Sequence, residues 1–237
     1  MKPELSPPVV VPSGTAAAPR VGPAGRWATR GLTRRCLQLV VGLVLYAASI
    51  AMLVRAGLGN MPWDVLSQGI ARQLGWSFGT VTIALSVLVL IGWIPLRQRP
   101  GSGTVANVVV IGLLVDPFLA VARLLEPLPL WGAVALTAGG ILTNGVATAC
   151  YIGARLGPGP RDGLMTGIVG RTGASVRLVR FGIEGVVVLG GWLLGGTVGL
   201  ATLAYALVIG PLVHELLPRF TVHEHTGAAR PAPYRVN

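Results

Sequence analysis

Long apolar blocks, rather than alternating stripes of apolar and polar residues, dominate the chain. The first block runs from Leu37 to Val54 without a charged residue, and another runs from Val105 to Val115. A helix of about 20 apolar residues is long enough to cross a bilayer. The pattern therefore predicts an all-α, polytopic membrane protein. Its six transmembrane helices are predicted at residues 36–54, 79–96, 104–122, 130–152, 178–195 and 200–217.

Two polar segments flank the predicted helices. Residues 1–34 are rich in Pro, Ala, Gly and Val, a composition that favours a disordered cytoplasmic tail. Residues 221–237 form a second such tail, in which His223 and His225 could bind a metal ion, although a solvated tail is the simpler interpretation. The membrane region between the tails divides into residues 35–122 and 123–220.

Composition excludes other protein classes. Of the 237 residues, 52% are hydrophobic and only 11% are charged, whereas soluble domains have about 25% charged residues. A soluble globular enzyme and a disordered chain are therefore excluded. The net charge of +11 comes from 18 Arg and one Lys that flank the apolar blocks. Because these residues form no compact basic module, we expect no nucleic-acid partner.

The positions of the basic residues predict the orientation in the membrane. With six spans, sixteen Lys and Arg residues fall on the side of the two termini and three fall on the other side. The three exceptions are Arg55, Arg72 and Arg123. Because cytoplasmic loops are enriched in Lys and Arg, we predict a multi-pass bacterial plasma-membrane protein with both termini in the cytoplasm. Three tryptophans near helix ends are predicted to be interfacial anchors. They are Trp93, Trp131 and Trp192.

The two halves of the membrane region share a sequence pattern at an offset of 98 residues. Pro-Trp-Asp-Val-Leu at residues 62–66 corresponds to Pro-Arg-Asp-Gly-Leu at residues 160–164. Further matching pairs are Gly69 with Gly167, Gly75 with Gly173, Thr104 with Thr202, and Ile111-Gly112 with Ile209-Gly210. Just upstream, Arg55, Gly57 and Gly59 match Arg155, Gly157 and Gly159 at an offset of 100. We interpret this register as an internal duplication.

The duplication predicts an inverted repeat. Each copy contains three predicted spans, and an odd number of spans makes the second copy enter the membrane upside down, as in many secondary transporters. If residues 62–75 instead crossed the bilayer, each copy would have four spans and the copies would be parallel. These 14 residues include Asp64, Gln68 and Arg72 and are short for a span. The pattern therefore favours two inverted three-helix repeats, each with a short re-entrant or interfacial helix.

These motifs resemble a known family. They are Pro62-Trp63-Asp64 after Gly57-Leu58-Gly59, the stretch Pro160-Arg161-Asp162-Gly163-Leu164-Met165, and Gly210-Pro211. They are similar to the YczE-type, YitT-related bacterial integral membrane proteins, over about residues 35–217. The resemblance implies a multi-span plasma-membrane protein of uncharacterised biochemistry. It supplies neither a substrate nor catalytic residues.

The two Pro-x-Asp motifs are typical of helix starts. Proline suits the first helical position, and an acid in the first turn complements the helix dipole. In a functional interpretation, both segments are re-entrant half-helices whose N-termini approach one aqueous site. The candidate substrate- or ion-binding residues are Asp64, Asp162, Pro62, Pro160, Gly59 and Gly159. In the alternative interpretation, both are interfacial helices that the two acids cap.

Other ionisable residues fall inside predicted spans. Asp116 and His214 occupy equivalent repeat positions, which suits a proton or cation pathway, because charged groups within a membrane usually face a cavity or a partner. Alternatively, Asp116 caps a helix break and His214 approaches the headgroups. Glu184 lies four residues after Arg180, so we expect a local ion pair, with both as secondary site candidates.

The sequence contains no His-Glu-x-x-His, Gly-x-Ser-x-Gly or Walker motif, so we expect no enzyme, no cofactor and no metal site. The leading hypothesis is a secondary transporter or facilitator of a small polar or anionic solute. The alternative is a non-transporting membrane partner that assists or regulates another membrane-associated protein. The expected partners are the lipid bilayer, a small solute or coupling ion, and either a second copy or another membrane protein.

Overall fold

The structure, a computed structural model, describes residues 25–124 and 127–222. The described residues form eight α-helices and no strand. In chain order these are α1 (Gly25–Ala56), α2 (Pro62–Leu74), α3 (Phe78–Leu96), α4 (Ser102–Arg123), α5 (Leu130–Gly153), α6 (Pro160–Thr172), α7 (Val176–Leu193) and α8 (Leu200–Phe220). The all-α prediction is confirmed for this part of the chain.

Five of the described helices are long and apolar enough to cross a membrane, namely α1, α3, α4, α5 and α8. The sixth predicted span corresponds to α7, which is helical but carries Arg177, Arg180 and Glu184 within its 18 residues. The difference from the predicted six therefore concerns one helix alone. The chain is a multi-pass membrane protein of long apolar helices.

The short helices α2 and α6 form where the Pro-x-Asp motifs predict them. Pro62 and Pro160 occupy the first helical position, where a missing N–H breaks no helical hydrogen bond. Each helix ends after 13 residues at a glycine in the left-handed conformation, Gly75 with φ 66° and Gly173 with φ 67°. Asp64 and Asp162 lie in the first turns, so their charge complements the helix dipole.

The prediction of a disordered tail over residues 1–34 is wrong for residues 25–34, because α1 already begins at Gly25. Further along α1, Arg35 joins this helix to the end of α5. Its Nε donates to the carbonyl oxygen of Ala154 at 2.8 Å, and its Nη2 donates to that of Arg155 at 2.6 Å. The arginine thereby satisfies carbonyls that the end of α5 leaves free. Residues 1–24 and 223–237, including His223 and His225, lie outside the described residues.

α1 and α5 form the centre of the molecule and run antiparallel. Gln38, in the first half of α1, donates to the carbonyl oxygen of Cys150 near the end of α5 at 2.9 Å. Further along α1, Ser49 accepts a hydrogen bond from Asn144 at 2.9 Å. At Gly42 a Cβ atom would lie 2.9 Å from the Cys150 Cβ. The helices can approach closely because Gly42 lacks that atom.

The remaining helices pack around this pair in matching ways. α1 contacts α4 as α5 contacts α8, and α2 packs on α7 as α3 packs on α6. The loops before α2 and α6 make equivalent bonds at an offset of 98. Ala201 donates its backbone N–H to the Leu58 carbonyl at 3.0 Å, and Gly103 donates to the Leu156 carbonyl at 2.8 Å.

The offset of 100 that we inferred upstream of the motifs is wrong, and the offset of 98 continues through the loops. Gly59 (φ 123°) and Gly157 (φ 128°) are the equivalent pair. A Cβ at Gly59 would lie 2.7 Å from Thr202 Oγ1, and one at Gly157 would lie 2.9 Å from Thr104 Oγ1. Gly159 is instead the N-cap of α6, with an ordinary φ of −61°. Glycine abundance allowed the wrong register, which only backbone conformation corrects.

Trp93 is not an interfacial anchor. It is 1% exposed, and its Nε1 donates to the Pro160 carbonyl at 3.0 Å. Its ring fills the space left by Gly163, where a Cβ atom would overlap it. In the other half the sizes are exchanged: Val65 replaces Gly163, and Gly191 replaces Trp93. Trp131 and Trp192 are 76% and 59% exposed, in keeping with anchoring positions.

Candidate solute site

The N-terminal turns of α2 and α6 meet in the interior through an ion pair. Nη2 of Arg161 donates to Oδ1 of Asp64 at 3.2 Å. The Asp64 side chain is 0% exposed, whereas that of Arg161 is 24% exposed. The guanidinium also lies over the ring of Trp63, with Cζ 5.3 Å from the ring centroid. Because Asp64 is removed from water, its charge depends on this one partner.

Asp162 has a different partner, a tyrosine. The hydroxyl of Tyr151 on α5 donates a hydrogen bond to Oδ2 of Asp162. The Tyr151 ring contacts that of Tyr46 on α1 edge-to-face, with the centroids 6.2 Å apart. The two motif carboxylates therefore differ: Asp64 is held by a cation, and Asp162 is held by a neutral hydroxyl.

A polar chain fixes the helices beside these residues. The hydroxyl of Tyr205 on α8 donates to Oδ1 of Asn144 on α5 at 2.9 Å. Asn144 in turn donates to Ser49 of α1, and Ser49 donates to the Tyr46 carbonyl at 2.7 Å. Interhelical hydrogen bonds of this kind hold membrane helices in register. These bonds thus position the side chain of Tyr205.

A cavity of about 220 Å³, here called cavity 1, opens beside Arg161 and Asp162. The elements that surround it are α1, the start of α2, the end of α5, α6, α7 and α8. Its polar walls include the Arg180–Glu184 pair, whose Nε and Oε1 atoms are 2.8 Å apart. Its apolar and aromatic walls include Tyr46, Met61, Trp63, Met165, Tyr205 and Ile209.

A second cavity of about 50 Å³, here called cavity 2, also borders Arg161 and Asp162. Its walls come from the repeat positions equivalent to those of cavity 1. The equivalent pairs, written cavity 1 first, are Met61 and Gly159, Pro62 and Pro160, Arg180 and Thr82, Glu184 and Ser86, Tyr205 and Asn107, and Ile209 and Ile111. Four residues line both cavities, namely Tyr46, Tyr151, Arg161 and Asp162.

Comparison with known proteins gives a family without a known biochemistry. Residues 33–217 match a family of unknown function, DUF6198. The chain belongs to this family. It is 39% identical over 203 residues to an uncharacterized protein of Haemophilus influenzae, covering 84% of this chain and 92% of that protein. It is 29% identical over 201 residues to the uncharacterized membrane protein YczE of Bacillus subtilis, covering 81% and 92%. No solved structure gives a significant match.

The YczE-type resemblance is thus confirmed. The family match covers every helix residue around the two cavities, so the candidate site lies within the region that defines the family. The relatives add no substrate, because both are described only as uncharacterized.

The structure brings together most of the sequence-predicted site residues. Asp162, Pro62, Pro160, Gly159, Arg180 and Glu184 line a cavity, and Asp64 lies directly behind Arg161. Gly59 does not line a cavity; it packs against Gly199 and Thr202 instead. In the described part of the chain, no group of three or more His, Cys, Asp and Glu residues is placed to hold a metal ion.

Asp116 and His214 lie elsewhere. Oδ1 of Asp116 accepts from the backbone N–H of Gly79 at 3.0 Å, so this acid binds the N-terminal turn of α3 and acts as a helix cap. His214 is exposed on α8. Neither residue lines either cavity.

Sequence reasoning missed Arg161 and the tyrosines as site residues. In the sequence, Arg161 stands out only as part of a helix-start motif and as one of the basic residues that predict the membrane orientation. In the structure it is the cation that lines both cavities. Tyr46, Tyr151 and Tyr205 were overlooked because each is a single aromatic within an apolar block. One signal was available: the repeat places Arg161 where the first half has Trp63, and an arginine in an aromatic position is unusual for packing alone.

Proposed function

We propose that this protein is a secondary transporter or facilitator of a small polar or anionic solute that works by alternating access. The observation that carries the proposal is the pair of cavities at equivalent repeat positions, with four residues in the walls of both. A solute site that is reached alternately from two sides must be built from residues that both routes share. Tyr46, Tyr151, Arg161 and Asp162 are therefore the proposed solute site.

Two inverted halves, α1–α4 and α5–α8, would make the cavities exchangeable. Since α1 and α5 are equivalent helices and run antiparallel, their arrangement supports an inverted repeat. In that repeat α7 is the third span of the second half. Arg180 and Glu184 of α7 line cavity 1 and pair with each other, which makes their charges compatible with a membrane helix.

The unequal cavity volumes correspond to one state of such a cycle. If each half adopted the conformation of the other, cavity 2 would enlarge and cavity 1 would shrink, while Arg161 and Asp162 stayed between them. With the orientation that the basic residues predict, cavity 1 faces the cytoplasm, because it reaches Ile152 near the end of α5.

The chemistry of the shared residues favours a polar or anionic solute. Arg161 supplies a guanidinium at the N-terminal turn of α6, where the helix dipole also favours negative charge. Asp162 and Tyr151 supply further hydrogen-bonding groups.

Cysteine accessibility tests this proposal without knowledge of the solute. In a chain with Cys36 and Cys150 replaced by alanine, Thr148→Cys reports on cavity 1 and Ser86→Cys on cavity 2. A membrane-impermeant maleimide is applied to right-side-out and inside-out vesicles. We expect Thr148→Cys to react from the cytoplasmic face and Ser86→Cys from the opposite face. Reaction of both from a single face would contradict alternating access and favour a non-transporting membrane partner.

Two exposed residues provide a matched topology control. Ser77 and Ser175 are 98 residues apart, and each is the N-cap of a helix, α3 and α7 respectively. In an inverted repeat, Ser77→Cys and Ser175→Cys react from opposite faces. Reaction of both from the same face would show parallel halves and would remove the basis of the proposal.

A further inference from the structure

We propose that the solute is a small monocarboxylate with an apolar body, that its carboxylate binds Arg161, and that Asp64 takes up one proton when it binds. The anion and the proton would then cross together. This inference rests on the proposed function, and it adds the solute class and the coupling ion.

Arg161 has unused donors at the place where a solute would bind. A guanidinium offers five N–H groups. Within the described residues Arg161 makes one hydrogen bond, to Oδ1 of Asp64, and stacks on Trp63. Arg161 lines both cavities. The planar fork of a guanidinium fits the two oxygens of a carboxylate.

Arg180 is less suited to this role, because it lines cavity 1 but not cavity 2. Its Nε is already 2.8 Å from Oε1 of Glu184, four residues along the same helix. Its equivalent in cavity 2 is Thr82, so Arg180 belongs to one access route only. The guanidinium that both routes share is that of Arg161.

The rest of cavity 1 favours an apolar body. Beyond the charged residues, its walls are mostly aromatic and aliphatic, including Met61, Met165, Ile183, Ile209 and Val213. At about 220 Å³ the cavity is smaller than the roughly 300–1,000 Å³ of drug-sized sites. A solute the size of benzoate or hexanoate matches both the volume and the walls.

Asp64 is placed to respond when Arg161 changes partner. It is 0% exposed, Arg161 is its one salt-bridge partner among the described residues, and its Oδ2 has no hydrogen-bond partner there. A buried carboxylate that loses its cation becomes neutral by protonation, because an isolated buried charge is costly. The orphan Oδ2 is the atom at which we place the proton.

The groups that face Asp64 offer no other compensation. α1 and α8 present the neutral hydroxyls of Tyr46 and Tyr205. α7 and the turn after it pack on α2 through Gly191 and Gly196 respectively. The charged pair of α7, Arg180 and Glu184, lines cavity 1. α3 carries no titratable residue. The Asp162 carboxylate on α6 adds negative charge. No second cation therefore replaces Arg161 beside Asp64 in the described structure.

The charges around the site agree with the uptake of a proton. Three carboxylates, Asp64, Asp162 and Glu184, surround two guanidiniums, Arg161 and Arg180. An anion alone would add to an existing excess of negative charge, and one proton per anion removes that penalty. In the proposed step, the solute carboxylate binds Arg161 through two N–H groups, that of Nη2 and one that is free in the solute-free protein. The hydrogen bond from Arg161 Nη2 to Asp64 Oδ1 breaks, and a proton from the solvent neutralises the Asp64 carboxylate. Release reverses each change.

Calorimetric titration of the full chain in detergent with benzoate tests the proposal. Titrations at pH 7 in two buffers of different ionisation enthalpy count the protons that binding takes up. We expect about one proton per benzoate. Because benzoate binds the form with protonated Asp64, its affinity falls as pH rises, by about tenfold per pH unit for one linked proton. Benzamide and benzylamine, of similar shape, serve as neutral and cationic comparisons.

Three variants test which side chain binds benzoate and which one takes up the proton. Asp64→Asn should bind benzoate with no proton uptake and no pH dependence, whereas Arg161→Gln should lose binding. Glu215→Gln is the matched control, because it removes a carboxylate from an exposed Arg–Glu pair at the end of α8 and should retain both the proton and the pH slope. If Asp64→Asn fails to fold, the proton count of the unaltered chain still decides the coupling.

Each contrary outcome is informative. Benzoate binding without proton uptake would overturn the coupling, and an unchanged proton count in Asp64→Asn would overturn the role of Asp64. Benzylamine binding in place of benzoate, or no binding of any of the three, would overturn the solute class. None of these outcomes depends on cysteine accessibility. The transport proposal and this inference can therefore fail separately.

Discussion

Cavities 1 and 2 are built from equivalent positions but differ in chemistry. Cavity 1 has Arg180, Glu184 and Tyr205 where cavity 2 has Thr82, Ser86 and Asn107. The backbone frame around them is the same: the loops before α2 and α6 dock through equivalent hydrogen bonds at Leu58 and Leu156. At these equivalent positions the backbone geometry is therefore shared, whereas the side chains differ.

The difference shows which parts of the molecule have to match. Glycines and backbone hydrogen bonds set how closely helices approach, so both halves need them. Side chains in a cavity wall meet empty space on one side, so the two halves can diverge there. The following predictions test this division between a shared frame and divergent walls, from the largest expected effect to the smallest.

Exchanging residue sizes at the α3–α6 contact should have the largest effect. Gly163→Val forces a side chain into the ring of the 1% exposed Trp93, and we expect a loss of about 3 kcal/mol in the free energy of unfolding, as for other overpacked cores. Adding Trp93→Leu should restore about half of that loss. Thermal melting in detergent measures both variants. If Gly163→Val left the melting temperature unchanged, the side chains at this contact would not need complementary sizes.

Replacing either of the two equivalent loop glycines with alanine should lower the free energy of unfolding slightly less than Gly163→Val does. The loss should be the same in both halves. Gly59→Ala and Gly157→Ala each place a Cβ against a threonine hydroxyl at a φ near 125° that disfavours side chains. We expect about 2–3 kcal/mol for each.

The control for the loop glycines is Gly75→Ala, at φ 66° with open space around it, for which about 1 kcal/mol is expected. Clearly unequal losses at residues 59 and 157 in the same melting experiment would contradict a shared frame.

Substitutions in the cavity walls should instead have unequal effects at equivalent positions. Tyr205→Phe removes the donor to Asn144 Oδ1, and we expect a loss of about 1–2 kcal/mol because a buried acceptor is left unpaired. Its counterpart Asn107 makes no hydrogen bond among the described residues, so Asn107→Leu should change the stability by less than about 0.5 kcal/mol. Denaturant titration measures the free energy of unfolding of both variants. Equal losses at the two positions would contradict the divergence of the cavity walls.

The smallest effect is expected at the ion pair of cavity 1. Glu184→Gln removes the partner of Arg180 from a partly exposed pair, and such pairs contribute about 0–1 kcal/mol. Ser86→Ala, at the equivalent position, should be neutral within about 0.5 kcal/mol. A loss of several kcal/mol in Glu184→Gln would mean that this pair supports the fold rather than serving the cavity.

Much of the helical architecture could be predicted because it follows from local rules. The observed α3, α4 and α5 begin and end within two residues of their predicted bounds, since long apolar blocks leave few alternatives in a membrane. The short helices α2 and α6 follow from Pro62 and Pro160 and from the glycines that end them. The start of α1 at Gly25 could not be predicted, because residues 25–36 lie before the first apolar block, which begins at Leu37.

The candidate site could be predicted in part. Asp64 and Asp162 could be identified because both belong to the repeated Pro-x-Asp motif at a helix start. Their partners were not found, because the Asp64–Arg161 pair and the Tyr151–Asp162 hydrogen bond join residues of different helices. Asp116 and His214 are equivalent in sequence, but that equivalence does not place them at a cavity.

By itself, the sequence determined that this is an all-helical, multi-pass membrane protein with a duplicated pattern, because hydropathy, helix-start residues and repeat register are properties of the chain read locally. Only the tertiary structure decided that Arg161 lies between two cavities, that Asp64 depends on it, and that three tyrosines surround it. The physical reason is burial. Whether a charged side chain has one partner, several or none depends on which helices exclude water around it, and those helices are far apart in the sequence.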